Sequence, residues 1–214
     1  ELQEIIEIQF KYSQTFLNYK IVYHPHQYIN NDLIFEDDRV EVRTIVLNHR
    51  IPCCGFIFTE KQVQPSITKE VIEQYDLSIE EIIAIKNGAD FTFKGEDIPN
   101  KKLVKSYKPR KYAYVSDTCY DERIVDFIKG ADLLYHEATF LDELLPRAKE
   151  TFHSTALQAG LIAKKAEVGK LMIGHFSARY KDLQPLLEEA QLNFQNTVLA
   201  SEGESTIVPP HQFL

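Results

Sequence analysis

Four apolar stretches of this chain each end on a group that can titrate or bind metal. Tyr112–Ser116 (YAYVS) is followed by Asp117, and ADLLY at 131–135 by His136 and Glu137. KLMIG at 170–174 is followed by His175, and the segment from Val40 to Leu47 by Asn48 and His49. Imidazole nitrogens and carboxylate oxygens suit zinc, manganese or iron, and a carboxylate between two imidazole sites can bridge a cation pair. A lone histidine at a strand end is more often a hydrogen-bonded core or surface residue, so it is the joint pattern that points to a metal centre.

Two further groups extend that chemistry. His153 stands before a helical segment and is followed by Ser154 and Thr155. It either helps to cap that helix or acts as a proton donor whose ring is oriented by a carboxylate, for which Glu137 is the nearest candidate. After His175 come Ser177 and Arg179, a hydroxyl and a guanidinium suited to phosphate oxygens. Tyr180 either stacks on a base or covers apolar surface. His24-Pro25-His26 looks like a metal pair, but no acid or further histidine follows closely, so both are read as surface or strand-edge histidines. Ser116, Asp117 and Cys119 do not form a hydrolase elbow, which needs G-x-S-x-G.

The elements that must position these groups follow from hydrophobic periodicity. The second half alternates short apolar strands with amphipathic segments: YAYVS then DERIVDFIKG, ADLLYHEAT then TALQAGLIAKKAEVG, KLMIG then DLQPLLEEAQLNF, and NTVLAS. That alternation predicts right-handed crossovers and a largely parallel sheet. Ligands of such sheets bind beyond the carboxyl ends of the strands, where the titratable groups fall. Thr155 with Gln158 predicts a capping box, and Gly130 and Gly169 predict helix C-caps. Before this half come a helix-like opening (LQEIIEIQFKYSQTFL), a strand at 40–47, and a second strand in GFIFTE. The segment SITKEVIEQYDLSIEEIIAIKNG predicts two short helices ended by Asn87 and Gly88.

A chain of 214 residues with 44% apolar residues can bury one sizeable core, so 1–214 is expected to be a single domain. Its apolar runs stop short of the roughly 20 residues of a membrane span; the expectation is a soluble, cytoplasmic protein with no membrane partner. Three cysteines, two of them adjacent at Cys53 and Cys54, make no C-x-x-C and no disulfide framework. A net charge of −8 opposes bulk nucleic-acid affinity. The block from Pro99 to Lys111 nevertheless holds Lys101, Lys102, Lys105, Lys108, Arg110 and Lys111 without an acid, and Tyr107 lies among them. It is either a solvated face or a place to meet a phosphate backbone.

SDT at 116–118, HEATF at 136–140, HST at 153–155 and GHFSARY at 174–180, in this order and at these spacings, resemble ribonuclease Z, the tRNA 3′-processing endonuclease of the metallo-β-lactamase superfamily. LNHRIPCCGF at 47–56 matches the family's earlier ligand position, and its CCGF resembles the Bacteroidetes branch. The resemblance covers nearly the whole chain. It implies an αββα sandwich with two zinc ions at the strand ends, His49 and His175 each serving one zinc and Asp117 bridging them. It implies that His153 donates a proton with support from Glu137, and that Ser177 and Arg179 bind phosphate near the acceptor stem. It makes 59–110 an inserted, protruding tRNA-binding arm, with Lys101, Lys102 and Lys105 among its contacts, although the Gly-Pro-rich tip of better-known arms is absent. Precursor tRNA would be the substrate and a homodimer the usual assembly.

The family's H-x-H-x-D-H loop, which supplies the remaining ligands and a general base, does not occur in these residues, and the only methionine is Met172. By position the loop belongs before Glu1, so the chain is expected to correspond to the later two thirds of the enzyme. The expectations that follow are weak or absent activity for the chain alone and an apolar sheet face left open. The competing expectations are a phosphodiesterase of the same superfamily with another substrate, and a noncatalytic tRNA-binding or dimerisation fragment.

Overall fold

The structure, a computed structural model, describes residues 2–208 apart from Val63 and Ser106. Nine strands and seven α-helices lie among the described residues. The principal sheet has seven strands: β1 (Leu33–Glu36), β2 (Val40–Val46), β3 (Cys54–Glu60), β6 (Lys111–Val115), β7 (Leu133–Glu137), β8 (Leu171–Gly174) and β9 (Thr197–Leu199), side by side in that order. The parallel expectation holds for β6 to β9, whereas β1, β2, β3 and β6 pair antiparallel. Short connections make β1, β2 and β3 antiparallel neighbours, and helical crossovers, which parallel neighbours need, separate β6, β7, β8 and β9; β3 and β6 pair antiparallel across a long connection that length does not decide.

Alternation along the strands gives the sheet two different faces. Ile45, Ile57, Ala113, Val115, Leu134, Leu171 and Ile173 are buried under α4 (Val125–Ile128), α6 (Ala156–Lys165) and α7 (Gln184–Gln191), forming the core with Ile128, Ile162 and Leu186. The opposite face carries one cross-strand row, Phe56 beside Tyr114, Tyr114 beside Tyr135, Tyr135 beside Met172 and Met172 beside Val198. The rings of Tyr114 and Tyr135 stack at 4.8 Å, yet Tyr114 is 36% exposed. Among the described residues this sheet is thus covered by helices on one side and carries a half-buried apolar row, with Tyr114 exposed, on the other. α1 (Leu2–Ser13) likewise buries none of its residues, and Ile5 and Ile8 stand exposed on it.

Helix ends follow local chemistry. Thr155 and Gln158 form the expected capping box on α6. Gly130, at a φ of 65°, ends α4 in the left-handed conformation that favours glycine. Gly169 does not cap α6: Glu167 takes the left-handed position at φ 52°. Gly169 is there for space, since a Cβ on it would stand 2.8 Å from the carbonyl oxygen of Asp132.

Between β3 and β6 the chain forms a small unit of its own. α2 (Lys69–Tyr75), α3 (Ile79–Lys86) and the hairpin of β4 (Phe91–Phe93) with β5 (Glu96–Ile98) surround a separate cluster of Leu77, Ile85 and Leu103. Ser78 and Glu81 cap α3 reciprocally, and Asn87 with Gly88 ends it as expected. Asn100 ties hairpin to helix by donating to the carbonyls of Ile85 and Ala89.

Candidate metal centre

The site is assembled at the carboxyl ends of β6, β7 and β8. Asp117 follows β6 at φ 53° and His175 follows β8 at φ 59°, both left-handed without being glycine. A non-glycine residue held there stores about 1–3 kcal/mol, and such strain collects where a side chain must be aimed. His153 follows Phe152, left-handed at φ 61°, which ends α5 (Leu145–Thr151). The loop bearing His49 is tied to that bearing Asp117: Cys119 donates its N–H to Asn48 O (2.8 Å), Asn48 donates to Thr118 Oγ1 (3.1 Å), and the Cys53 thiol donates to Asp117 O (3.3 Å).

Asp117, His153 and His175 each bring one ligand atom to within 4.8 Å of the others. His175 Nε2 stands 3.2 Å from Asp117 Oδ1, and the His153 and His175 rings stack at 5.2 Å. His49 lies on His153 as well, its ring centroid 5.3 Å away, but it is not in the three-atom group. The residue that resemblance makes a proton donor therefore sits centrally, with a ligand candidate on either hand.

Glu137 organises the cluster from beneath. Fully buried, its carboxylate accepts from Thr118 N (2.7 Å) and His153 Nδ1 (2.9 Å) on Oε1, and from Thr139 Oγ1 (2.6 Å) and Ser154 N (3.1 Å) on Oε2. Because the Thr139 hydroxyl gives its proton to Glu137, its oxygen accepts from His175 Nδ1 at 2.9 Å. His49 Nδ1 donates to the Phe152 carbonyl at 3.0 Å. All three imidazoles are thus held through Nδ1–H with Nε2 left as an acceptor, the tautomer a metal-binding histidine needs. Burial pushes the Glu137 pKa up, but hydrogen bonds from His153 and Thr139 outweigh it and leave it below its ordinary value. The same bond to Glu137 holds the His153 imidazole above its usual range against the opposing effect of burial.

The donors fit zinc. Ligand bonds of roughly 2.0–2.1 Å in a tetrahedron put ligand atoms about 3.4 Å apart, close to the 3.2 Å between His175 and Asp117. Asp117 and His175 offer the oxygen and nitrogen donors such an ion takes, with His49 outside the three-atom group.

The remaining candidates divide. Arg179 donates from Nε to Ser177 Oγ (3.1 Å), and its guanidinium lies 5.0 Å from the Phe140 ring, beside the centre and exposed. Tyr180 is a support: its hydroxyl accepts the Leu141 N–H (3.0 Å) and its ring packs on the core. In the basic block, Lys101, Lys102 and Lys105 are exposed on the small unit, away from the cluster in sequence and on a different core. Arg110 instead forks onto Glu60, with Nε 2.9 Å from Oε2, and Lys111 Nζ donates to the carbonyls of Phe127 and Lys129. His26 accepts the Tyr28 N–H on Nδ1 and faces Asp32 at 3.5 Å, so it holds its loop rather than standing as the surface or strand-edge histidine the sequence suggests. Burial, aided by the Asp117 carboxylate, pushes the Cys53 thiol up to about 11, which suits an inert packing cysteine.

No family model matches the chain. Individual relatives do. Ribonuclease Z of Phocaeicola vulgatus is 47% identical over 204 residues, which cover 94% of this chain and 66% of that protein. Ribonuclease Z of Cytophaga hutchinsonii is 46% identical over 212 residues, covering 97% of this chain and 67% of that protein. The chain belongs to the ribonuclease Z family. It spans about two thirds of the length of these ribonuclease Z relatives. Among solved structures, the short form of human tRNase Z aligns with a TM-score of 0.61 at 23% identity, over 97% of this chain and 64% of that one. A metallo-β-lactamase-fold protein of Bacillus subtilis aligns with a TM-score of 0.52 at 17% identity, over 82% of this chain and 53% of that one. The fold of this ribonuclease Z family chain is of the metallo-β-lactamase type.

Sequence reasoning did not find Thr139 or Thr118. Thr139 lies in HEATF, two residues after Glu137, but only the fold shows that its hydroxyl joins that carboxylate to His175.

Proposed function

We propose that this chain carries part of the active centre of a zinc-dependent endoribonuclease that removes the 3′ trailer from precursor tRNA. What supports this most is the Asp117, His153 and His175 cluster with Glu137 beneath it, in a chain close to half identical to ribonuclease Z proteins. Asp117, His175 and His49 are the proposed metal ligands. Zinc held there would neutralise charge on the attacked phosphate and acidify a water.

The chain's own residues supply positioning and proton transfer. Glu137 fixes the His153 ring through Nδ1–H and favours its protonated form, and it is this imidazolium that gives its Nε2 proton to the departing 3′-oxygen, returning to the neutral ring with Nε2 as an acceptor. That leaves a 3′-hydroxyl on the tRNA and a 5′-phosphate on the trailer. Ser177 and Arg179 hold an adjacent phosphate. The segment 59–110, with Lys101, Lys102 and Lys105 exposed, serves as a tRNA-binding arm. The assignment further includes a cytoplasmic homodimer, for which light scattering is the check. Among the described residues no helix is long and apolar enough to cross a membrane.

The test is cleavage of precursor tRNA with the family's H-x-H-x-D-H segment joined to this chain. His153→Ala is expected to lower turnover by about 10²–10⁴-fold, the usual contribution of a general acid, while zinc content stays near that of the parent. Unchanged turnover rejects the role. Zinc loss in step with activity would make His153 a ligand instead.

A further inference from the structure

A polynucleotide cut at one phosphate runs on to both sides of the centre, and a cation on either side gains affinity by neutralising a phosphate there. One side is occupied by Ser177 and Arg179, carried on the loop that follows His175. On the other, a cleft of about 380 Å³ is lined by His49, Arg50, Arg147, Glu150, Thr151 and His153. It touches the two histidines farthest along the row from Ser177, and neither Asp117 nor His175 lines it. We infer that this cleft binds the phosphate of the trailer strand next to the scissile bond, through the guanidinium groups of Arg50 and Arg147. The inference rests on the functional assignment above and extends it to residues outside the metal cluster.

The local structure supports that use. Arg50 follows His49 directly and is exposed. Arg147 and Thr151 lie one turn apart on α5, where the Thr151 hydroxyl donates to the Arg147 carbonyl at 2.8 Å. The same helix end supplies Phe152, whose carbonyl holds His49. The cleft wall and the cluster are therefore one connected structure. Guanidinium forks match phosphate oxygens in pairs. Arg147 is engaged by Glu150, its Nη1 donating to Oε2 at 2.6 Å, but the two side chains are 51% and 68% exposed. An ion pair in such a position is weak and exchanges readily for a phosphate. Glu150 is then the negative element of the cleft, opposing RNA until it is displaced.

The experiment is binding rather than turnover. Fluorescence anisotropy on this chain would follow a 5′-phosphorylated tetraribonucleotide, the chemical form of a released trailer, and a tRNA lacking a trailer, each across a salt series. Arg50→Ala with Arg147→Ala is expected to weaken the oligonucleotide by at least tenfold. Its salt slope should fall by about 0.7, the value for one lost single-strand phosphate contact. tRNA affinity should change less than twofold. Glu150→Gln is expected to tighten the oligonucleotide severalfold. An unchanged Kd and slope in the double variant overturns the inference while leaving the functional assignment intact, as does an equal loss for tRNA. If the parent chain binds neither RNA, the functional assignment fails and takes the inference with it.

Discussion

At the scale of single residues, the centre depends on one buried carboxylate. Glu137 receives two backbone N–H groups, the Thr139 hydroxyl and the His153 ring. Glu137→Ala strands those donors in the core, and a loss of about 3–5 kcal/mol is expected in denaturant unfolding. Burial works against ionisation of Glu137, yet the bonds from His153 and Thr139 keep its pKa below the ordinary 4.5. A carboxyl whose pKa is depressed by folding stabilises fully above its unfolded value and loses that contribution as pH falls through the folded one. Stability measured downward from pH 5 should therefore fall more steeply in the parent than in Glu137→Gln; identical acid limbs would show that Glu137 is not ionised in the folded chain. Thr139→Val tests the relay to His175: it removes the hydroxyl with little change in volume, so zinc affinity is expected to drop about 10–100-fold, as for other outer partners of metal ligands. Fluorescent chelator competition reads it directly.

At the scale of elements, the strand-and-helix alternation, the capping box on α6 and the ends of α3 and α4 were legible because they depend on local chemistry. Gly169 follows α6 without capping it, for a physical reason. A glycine after a helix signals a cap only if the left-handed turn falls on it, and here Glu167 takes that turn while Gly169 yields space to Asp132. The basic block was similarly mixed: charge alone does not separate Lys101 and Lys102, on the surface, from Arg110 and Lys111, which fasten Glu60 and the end of α4. Helix packing gives a sharp test. A Cβ on Gly160 of α6 would run into the backbone carbonyl of Ala190 on α7, so Gly160→Ala is expected to cost about 1–3 kcal/mol despite its better helix propensity. A gain in the unfolding midpoint would contradict the close approach of these helices.

At the scale of the whole molecule, the order of the motifs identified family and fold, but the geometry of the centre needed the folded chain. Asp117 and His175 are 58 positions apart by their numbers and meet only because β6 and β8 flank β7 and end on the same side. The half-buried apolar face of the sheet is the other whole-molecule feature. Since Tyr114 is 36% exposed there, Tyr114→Lys is expected to cost only about 1 kcal/mol, mainly the stacking on Tyr135, and to raise solubility. A loss of several kcal/mol would mean that the face is covered in solution. The central claim is that these strand ends form a metal-binding centre, and calorimetric zinc titration of the chain tests it most directly. Saturable zinc binding that weakens at least tenfold in both Asp117→Ala and His175→Ala is the predicted result; zinc binding unaffected by either substitution would contradict it.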